Sequence, residues 1–162
     1  MSGMSVWCPF QFGDDVRLAL VAGEQGIEQI RFEGEPPVGV VRDDRLLKPA
    51  MEQLSSYFAG ELQTFDLLLA PQGTQFQKRV WKALLTIPYG ETRSYAQIAD
   101  AIGSPKAVRA VGAANGQNPI PIVIPCHRVI GSNGKLTGFG GGLPMKRRLL
   151  DLESAQSSLA RL

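Results

Sequence analysis

Residues 122–130 read Ile-Val-Ile-Pro-Cys-His-Arg-Val-Ile, so Cys126 stands next to the only histidine of the chain, His127, with Arg128 following. A cysteine is a nucleophile only as its thiolate; apolar surroundings oppose ionisation, whereas an adjacent imidazole and guanidinium favour it. The triplet could therefore carry nucleophilic chemistry at sulfur. An inert core cysteine beside a surface histidine is the competing reading of the pair alone, because free cysteine is commonly buried. With one histidine and two cysteines in the chain, zinc is not expected: structural sites take four such ligands and catalytic sites three protein ligands.

The segments that must position this triplet are well punctuated. Thr74 and Gln77 form a capping-box pattern ahead of Phe76, Val80 and Leu84 on one helical face, and Pro88-Tyr89-Gly90 ends that helix. Ser94 and Gln97 repeat the pattern before Ala96, Ile98, Ala99 and Ile102, and Gly103 stops the second helix. Ser104 as N-cap with Pro105 at the first helical position predicts a third helix over 106–115. Two short helices joined by a glycine turn suggest helix-turn-helix; any helical hairpin is the alternative. The third helix consists mainly of Ala, Val and Gly, with few side chains able to fork onto base edges. It suits close backbone approach and the minor groove, or else a tight crossing inside the protein. Arg109, a long cation among small residues, either pairs internally or projects into a duplex.

The N-terminal part alternates in strand fashion over 16–21 and 27–32, carries a helix from about Leu46 to Ala59 on Leu47, Met51, Leu54 and Phe58, and returns to strand-like sequence over 61–70. A small antiparallel sheet with one helix is expected, and Pro71-Gln72-Gly73 breaks the chain after it. Charge divides at the same place: residues 1–70 hold 5 Lys+Arg and 11 Asp+Glu (5 − 11 = −6), residues 71–162 hold 12 and 4 (12 − 4 = +8). Two domains, 1–70 and 71–162, follow, the second basic and suited to a polyanion such as nucleic acid. Scattered solvated cations are the alternative. No stretch has signal-peptide order or membrane-spanning length, so a reducing cytoplasm is expected, with no membrane partner.

The segment Asn118-Pro119-Ile120-Pro121-Ile122-Val123-Ile124-Pro125-Cys126-His127-Arg128-Val129, preceded by Lys106-Ala107-Val108-Arg109-Ala110-Val111-Gly112, resembles the O6-alkylguanine-DNA alkyltransferases. The resemblance continues through Tyr89-Gly90-Glu91-Thr92, Ser94-Tyr95, the loop Thr137-Gly138-Phe139-Gly140-Gly141-Gly142 and the last helix to Glu153. It implies an α/β (α+β) chain: a ribonuclease H-like N-terminal domain and a C-terminal winged helix-turn-helix domain. It also implies irreversible transfer of an alkyl group from O6 of a flipped guanine, with O4 of thymine a further candidate, to Cys126. His127 would act as base through a bridging water, since neighbours in extended chain face opposite ways. Glu153 would orient the imidazole, Asn118 brace the cysteine segment, and Tyr95 donate to the departing base. Cys126, Val129, Phe139 and Gly140 would line the base pocket. Arg109 would replace the extruded base, and Thr92, Ser94, Ala107, Ala110, Asn115 and Arg128 would complete the DNA contact.

The implied partner is double-stranded DNA containing O6-alkylguanine, bound by a monomer, with cooperative assembly on DNA left open. No cofactor or metal is implied. Phe139 and Gly140 stand where the animal members have Tyr and Ser, which removes one hydroxyl from the pocket. Cys8 reads as a spectator thiol. A cysteine hydrolase using the same pair, or a non-catalytic protein that binds alkylated DNA or regulates transcription, are the rival readings; the first would turn over, and the second would dispense with the acceptor cysteine.

Overall fold

The computed structural model describes residues 4–160, with side-chain surroundings defined through residue 156. Contacts divide the chain into two compact units, Met1–Gln72 and Gly73–Leu162. Pro71 and Gln72 carry no charge, so the opposed charge balances belong to these units unchanged.

The first unit is a four-stranded sheet in the order β3-β2-β1-β4 with one helix. Strands β1 (Val6–Phe12), β2 (Val16–Gly23) and β3 (Gly26–Arg31) form an antiparallel meander, while β4 (Val41–Arg42) pairs with β1 in parallel. The sheet is thus mixed, where an antiparallel one was expected. Strand β1 escapes a sequence reading because Pro9 sits inside it. The Trp7 carbonyl accepts from Asp43 N at 2.9 Å, so Pro9, two residues on, faces the same edge beyond the end of β4. A missing N–H there costs no ladder bond. Residues 61–70 also depart from expectation: they form a single bridge, Ile27 with Leu69, rather than a strand. Gly26 allows this approach, since a Cβ there would lie 2.4 Å from the Leu68 carbonyl oxygen. Helix α1 (Lys48–Phe58) begins with Pro49 in its first turn and closes the core through Leu47, Leu54, Tyr57 and Phe58. The Phe58 ring stacks on Phe10 and Phe12 at centroid separations of 6.2 and 5.6 Å.

The second unit is mainly helical: α2 (Gln75–Leu84), α3 (Tyr95–Ala101), α4 (Val108–Gly116) and α5 (Leu143–Ala160), with the two-residue strands β5 (Arg93–Ser94) and β6 (Val129–Ile130) paired in parallel. Both predicted capping boxes form, Thr74 with Gln77 and Ser94 with Gln97. Gly103, at φ 77°, ends α3, and Ser104 N then returns to Ala99 O at 2.9 Å. The Arg79 guanidinium adds a bond to the Ile102 carbonyl. Helix α4 starts two residues later than expected. Ser104 and Pro105 form a turn closed by Ala107 N on Ser104 O at 2.9 Å, and Ala107 becomes an N-cap without a side-chain bond. The same dipeptide suits the opening of a β-turn, with Pro at its second position. Trp81 of α2, 2 % exposed, donates its indole N–H to Ala114 O of α4 at 2.8 Å, tying the first helix to the third. The wing is small, consisting of β5 and β6 and a turn closed by Gly131 N on Lys135 O at 2.9 Å.

Candidate active site and DNA face

The three prolines Pro119, Pro121 and Pro125 remove backbone donors, and residues 119–128 fold as successive turns instead of the extended chain expected from their apolar character. Ile124 N reaches Ile120 O at 2.9 Å and Cys126 N reaches Ile124 O at 2.8 Å. Between them Ile122, 1 % exposed, adopts φ 74°. A β-branched residue in left-handed backbone is strained by about 1–3 kcal/mol and needs surrounding structure to hold it there. Asn118 does much of the holding: its Nδ2 donates to Ile124 O at 2.8 Å and its Oδ1 accepts from Ile120 N at 3.0 Å. The segment ends in a 3-10 turn, Cys126–Arg128, whose three residues are all buried.

His127 is wholly buried, and its Nε2 lies 2.7 Å from Glu153 Oε2. An ionised carboxylate only accepts, so Nε2 carries the proton and Nδ1 keeps its lone pair. Nδ1 has no protein partner. Burial holds the imidazole below the usual 6.5 although Glu153 draws it upward, so the ring is a neutral base at pH 7. Burial alone would raise the Glu153 carboxyl; hydrogen bonds and charge from His127 and Arg128 outweigh it and hold it at about 2. Arg128 supplies this by donating Nε to Oε1 at 2.8 Å and an Nη to Oε2 at 3.0 Å, with its other Nη on Ile87 O at 2.7 Å.

Cys126 is 4 % exposed, and burial pushes its thiol to about 11 against the lowering effects of the Asn118 side chain and the Lys146 charge. The thiol is therefore protonated at pH 7, so the nucleophile must be generated in place. Lys146, on α5, is a component that sequence reasoning missed. It shares the buried face of that helix with Leu149 and Glu153, at spacings of three and four, and is itself 0 % exposed. Its Nζ donates to Val129 O at 2.7 Å and Thr137 O at 3.1 Å. Thr137 is the second omission: its Oγ1 lies 2.6 Å from the Tyr95 hydroxyl.

The expected residues thus fall into two groups. Cys126, His127, Glu153, Asn118 and Val129 meet at the 3-10 turn, and Tyr95 reaches the loop that carries Phe139 and Gly140 through Thr137. On α4, Arg109 and Ala110 are exposed and Ala107 at its cap is half-buried, while Val111, Ala114 and Asn115 turn inward. Thr92 is exposed; the Ser94 hydroxyl accepts from Gln97 N as a helix cap. Two residues expected at DNA are corrected. Arg128 is 7 % exposed with its guanidinium committed to Glu153 and Ile87, which leaves none of it for a phosphate. Asn115 is 3 % exposed and donates to Cys126 O at 3.4 Å. No group of three His, Cys, Asp or Glu side chains among the described residues could hold a metal ion.

A helix-turn-helix unit that exposes a small-residue helix with one arginine is of the class that handles DNA, and it buries a cysteine beside a carboxylate-oriented histidine. Residues 75–155 match the family model described as 6-O-methylguanine DNA methyltransferase, DNA binding domain. The methylated-DNA--protein-cysteine methyltransferase of Mycobacterium tuberculosis is 67 % identical over 134 residues, 83 % of this chain and 78 % of that one. Its counterpart in Methanosarcina acetivorans is 52 % identical over 143 residues, 85 % of this chain and 92 % of the other. The crystal structure of Mycobacterium tuberculosis OGT in complex with DNA superimposes with a TM-score of 0.84 at 50 % identity, covering 94 % of each chain. The chain belongs to the methylated-DNA--protein-cysteine methyltransferase family.

Proposed function

We propose that Cys126 is the methyl acceptor through which this chain, a DNA-repair methyltransferase acting on O6-methylguanine, removes the lesion from double-stranded DNA. The observation that carries the assignment is the tautomer lock at His127. With Nε2–H given to Glu153, Nδ1 is the one imidazole position able to take a proton, and it has no competing protein partner. A water between Sγ and Nδ1 would relay the thiol proton; the turn at Cys126 then presents the sulfur to the methyl carbon. The S–C bond forms as the C–O6 bond breaks, and the electron pair passes into the guanine ring. Tyr95 hydrogen-bonds the ring as that charge develops. The guanine leaves as an anion and is restored by taking a proton at N1 from water, while His127 holds the thiol proton as the cation, stabilised by Glu153, until it releases it to solvent.

The product is a thioether, which water does not cleave under mild conditions, so each chain reacts once. Arg109 occupies the space of the extruded base, supported by its exposure on α4 between Ala107, Ala110 and Ala113. Phosphate contacts come from Thr92, Ser94 and the start of α4, consistent with binding that ignores sequence.

Incubation with a duplex containing O6-methylguanine, followed by intact-protein mass and peptide mapping, tests the assignment. One methyl group per chain on Cys126, and none in Cys126→Ala, is expected. Label on Cys8, or several turnovers per chain, would overturn it.

A further inference from the structure

The loop 131–142 is held to the rest of the site through Thr137. Its carbonyl oxygen accepts from Lys146 Nζ at 3.1 Å, and the same ammonium donates to Val129 O at 2.7 Å, three residues beyond the acceptor cysteine. Its hydroxyl oxygen is 2.6 Å from the Tyr95 hydroxyl. The Tyr95 ring in turn rests against α4, where a Cβ on Gly112 would touch it at 3.8 Å. Lys146 is 0 % exposed and its bonds are to carbonyls, so its position is fixed by burial and Thr137 inherits that position.

A phenolic hydroxyl has one proton to give. If Tyr95 gave it to Thr137, it would have none for a base; if Thr137 gives its own proton to Tyr95, the phenol keeps its donor and becomes a stronger one, as hydrogen bonds in series polarise each other. We propose that Thr137 is a positioning residue of the transfer reaction: its hydroxyl donates to the Tyr95 oxygen and so aims the Tyr95 proton at the departing guanine. Lys146 fixes the loop so that this donor arrives at the same place in every molecule. Thr137 never touches the reacting atoms; it acts through Tyr95, and it rests on the reading of Cys126 as acceptor and Tyr95 as donor.

A hydroxyl pair at an exposed loop is worth little in the free protein, because water competes for it. Its effect belongs to the bound state, when a flipped base covers the loop and excludes that water. Thr137→Val should therefore leave thermal stability and duplex affinity unchanged, while slowing single-turnover methyl transfer by roughly fivefold to tenfold, the factor equivalent to one net hydrogen bond.

The test is a double-mutant cycle in single-turnover transfer from O6-methylguanine duplex, using wild type, Thr137→Val, Tyr95→Phe and both together. Thr137→Val is expected to slow transfer in the wild-type background and to have less than about twofold further effect with Tyr95→Phe, where there is no phenol to aim. Thr137→Ser, which keeps the hydroxyl, should restore the rate. A loss of the same size in the Tyr95→Phe background, an unchanged or faster rate in Thr137→Val, or no rescue by Thr137→Ser would overturn the proposal. Absence of transfer by the wild type itself would instead refute the reading of Cys126.

Discussion

Glu153 accepts hydrogen bonds on both oxygens from His127 and Arg128, and the two partners serve different ends. The bond to Nε2 fixes the tautomer, while the pair with Arg128 keeps the carboxylate charged at every working pH. His127→Ala and Glu153→Gln should slow methyl transfer by overlapping amounts, because a base and its orienting carboxylate act as a unit; measured rates for both singles and the double should show losses well short of additive. Stability offers a second readout. The folded His127 titrates below its ordinary 6.5 and Glu153 at about 2 against an ordinary 4.5, so in each interval the unfolded chain binds the proton more readily. The stability these two groups contribute is therefore full above about pH 6.5, begins to fall as pH drops below it, and falls further from 4.5 toward 2. Thermal unfolding midpoints across pH 7 to 3 check this, and a midpoint that rises on acidification would contradict it. Glu153→Gln should also destabilise the protein at pH 7 by about 3–5 kcal/mol, since it leaves the buried Arg128 guanidinium without its counter-charge. Lys146 is illegible in the sequence because cations ordinarily lie on surfaces, and the burial of Arg128 beside Glu153 escapes a sequence reading for the same reason.

Among the elements, caps were the most readable because they depend on local chemistry alone. Thr74 with Gln77, Ser94 with Gln97, and the glycine at position 103 form as their types and spacing dictate. Ser104 and Pro105 failed as a cap because an N-cap and a turn opening call for the same residues, and only neighbouring structure chooses between them. The acceptor segment was readable in its members and not in its path: the apolar side chains suggested extended chain, whereas Pro119, Pro121 and Pro125 impose turns and Ile122 takes a backbone conformation that no propensity favours. Helix α4 divides cleanly into an inward face of Val111, Ala114 and Asn115 and an outward one carrying Arg109. Arg109→Ala should sharply slow repair in duplex DNA yet leave reaction with free O6-benzylguanine nearly unchanged, because a free base requires no unstacking. Equal losses on the two substrates would assign Arg109 to the pocket or the fold. The salt dependence of duplex binding should change by at most about one phosphate equivalent.

At the scale of the whole molecule, the charge contrast between the two units was visible from composition, and the second unit, at +8, is the one that carries the candidate DNA face. The fate of the thiols was not visible, since exposure is a property of the folded chain. Both cysteines are interior, Cys8 at 0 % and Cys126 at 4 % exposure, and burial raises them to about 12 and 11. Among the described residues the surface consequently presents no thiol to bystander electrophiles. A general thiol reagent should find almost nothing to modify in the native protein and both cysteines after denaturation; rapid native labelling of either would count against the buried, protonated state. A cell contains many alkylating and oxidising molecules, and a protein that reacts once would be exhausted by them if its sulfur stood open. Interior placement limits that loss, because only a molecule that fits the site reaches the sulfur.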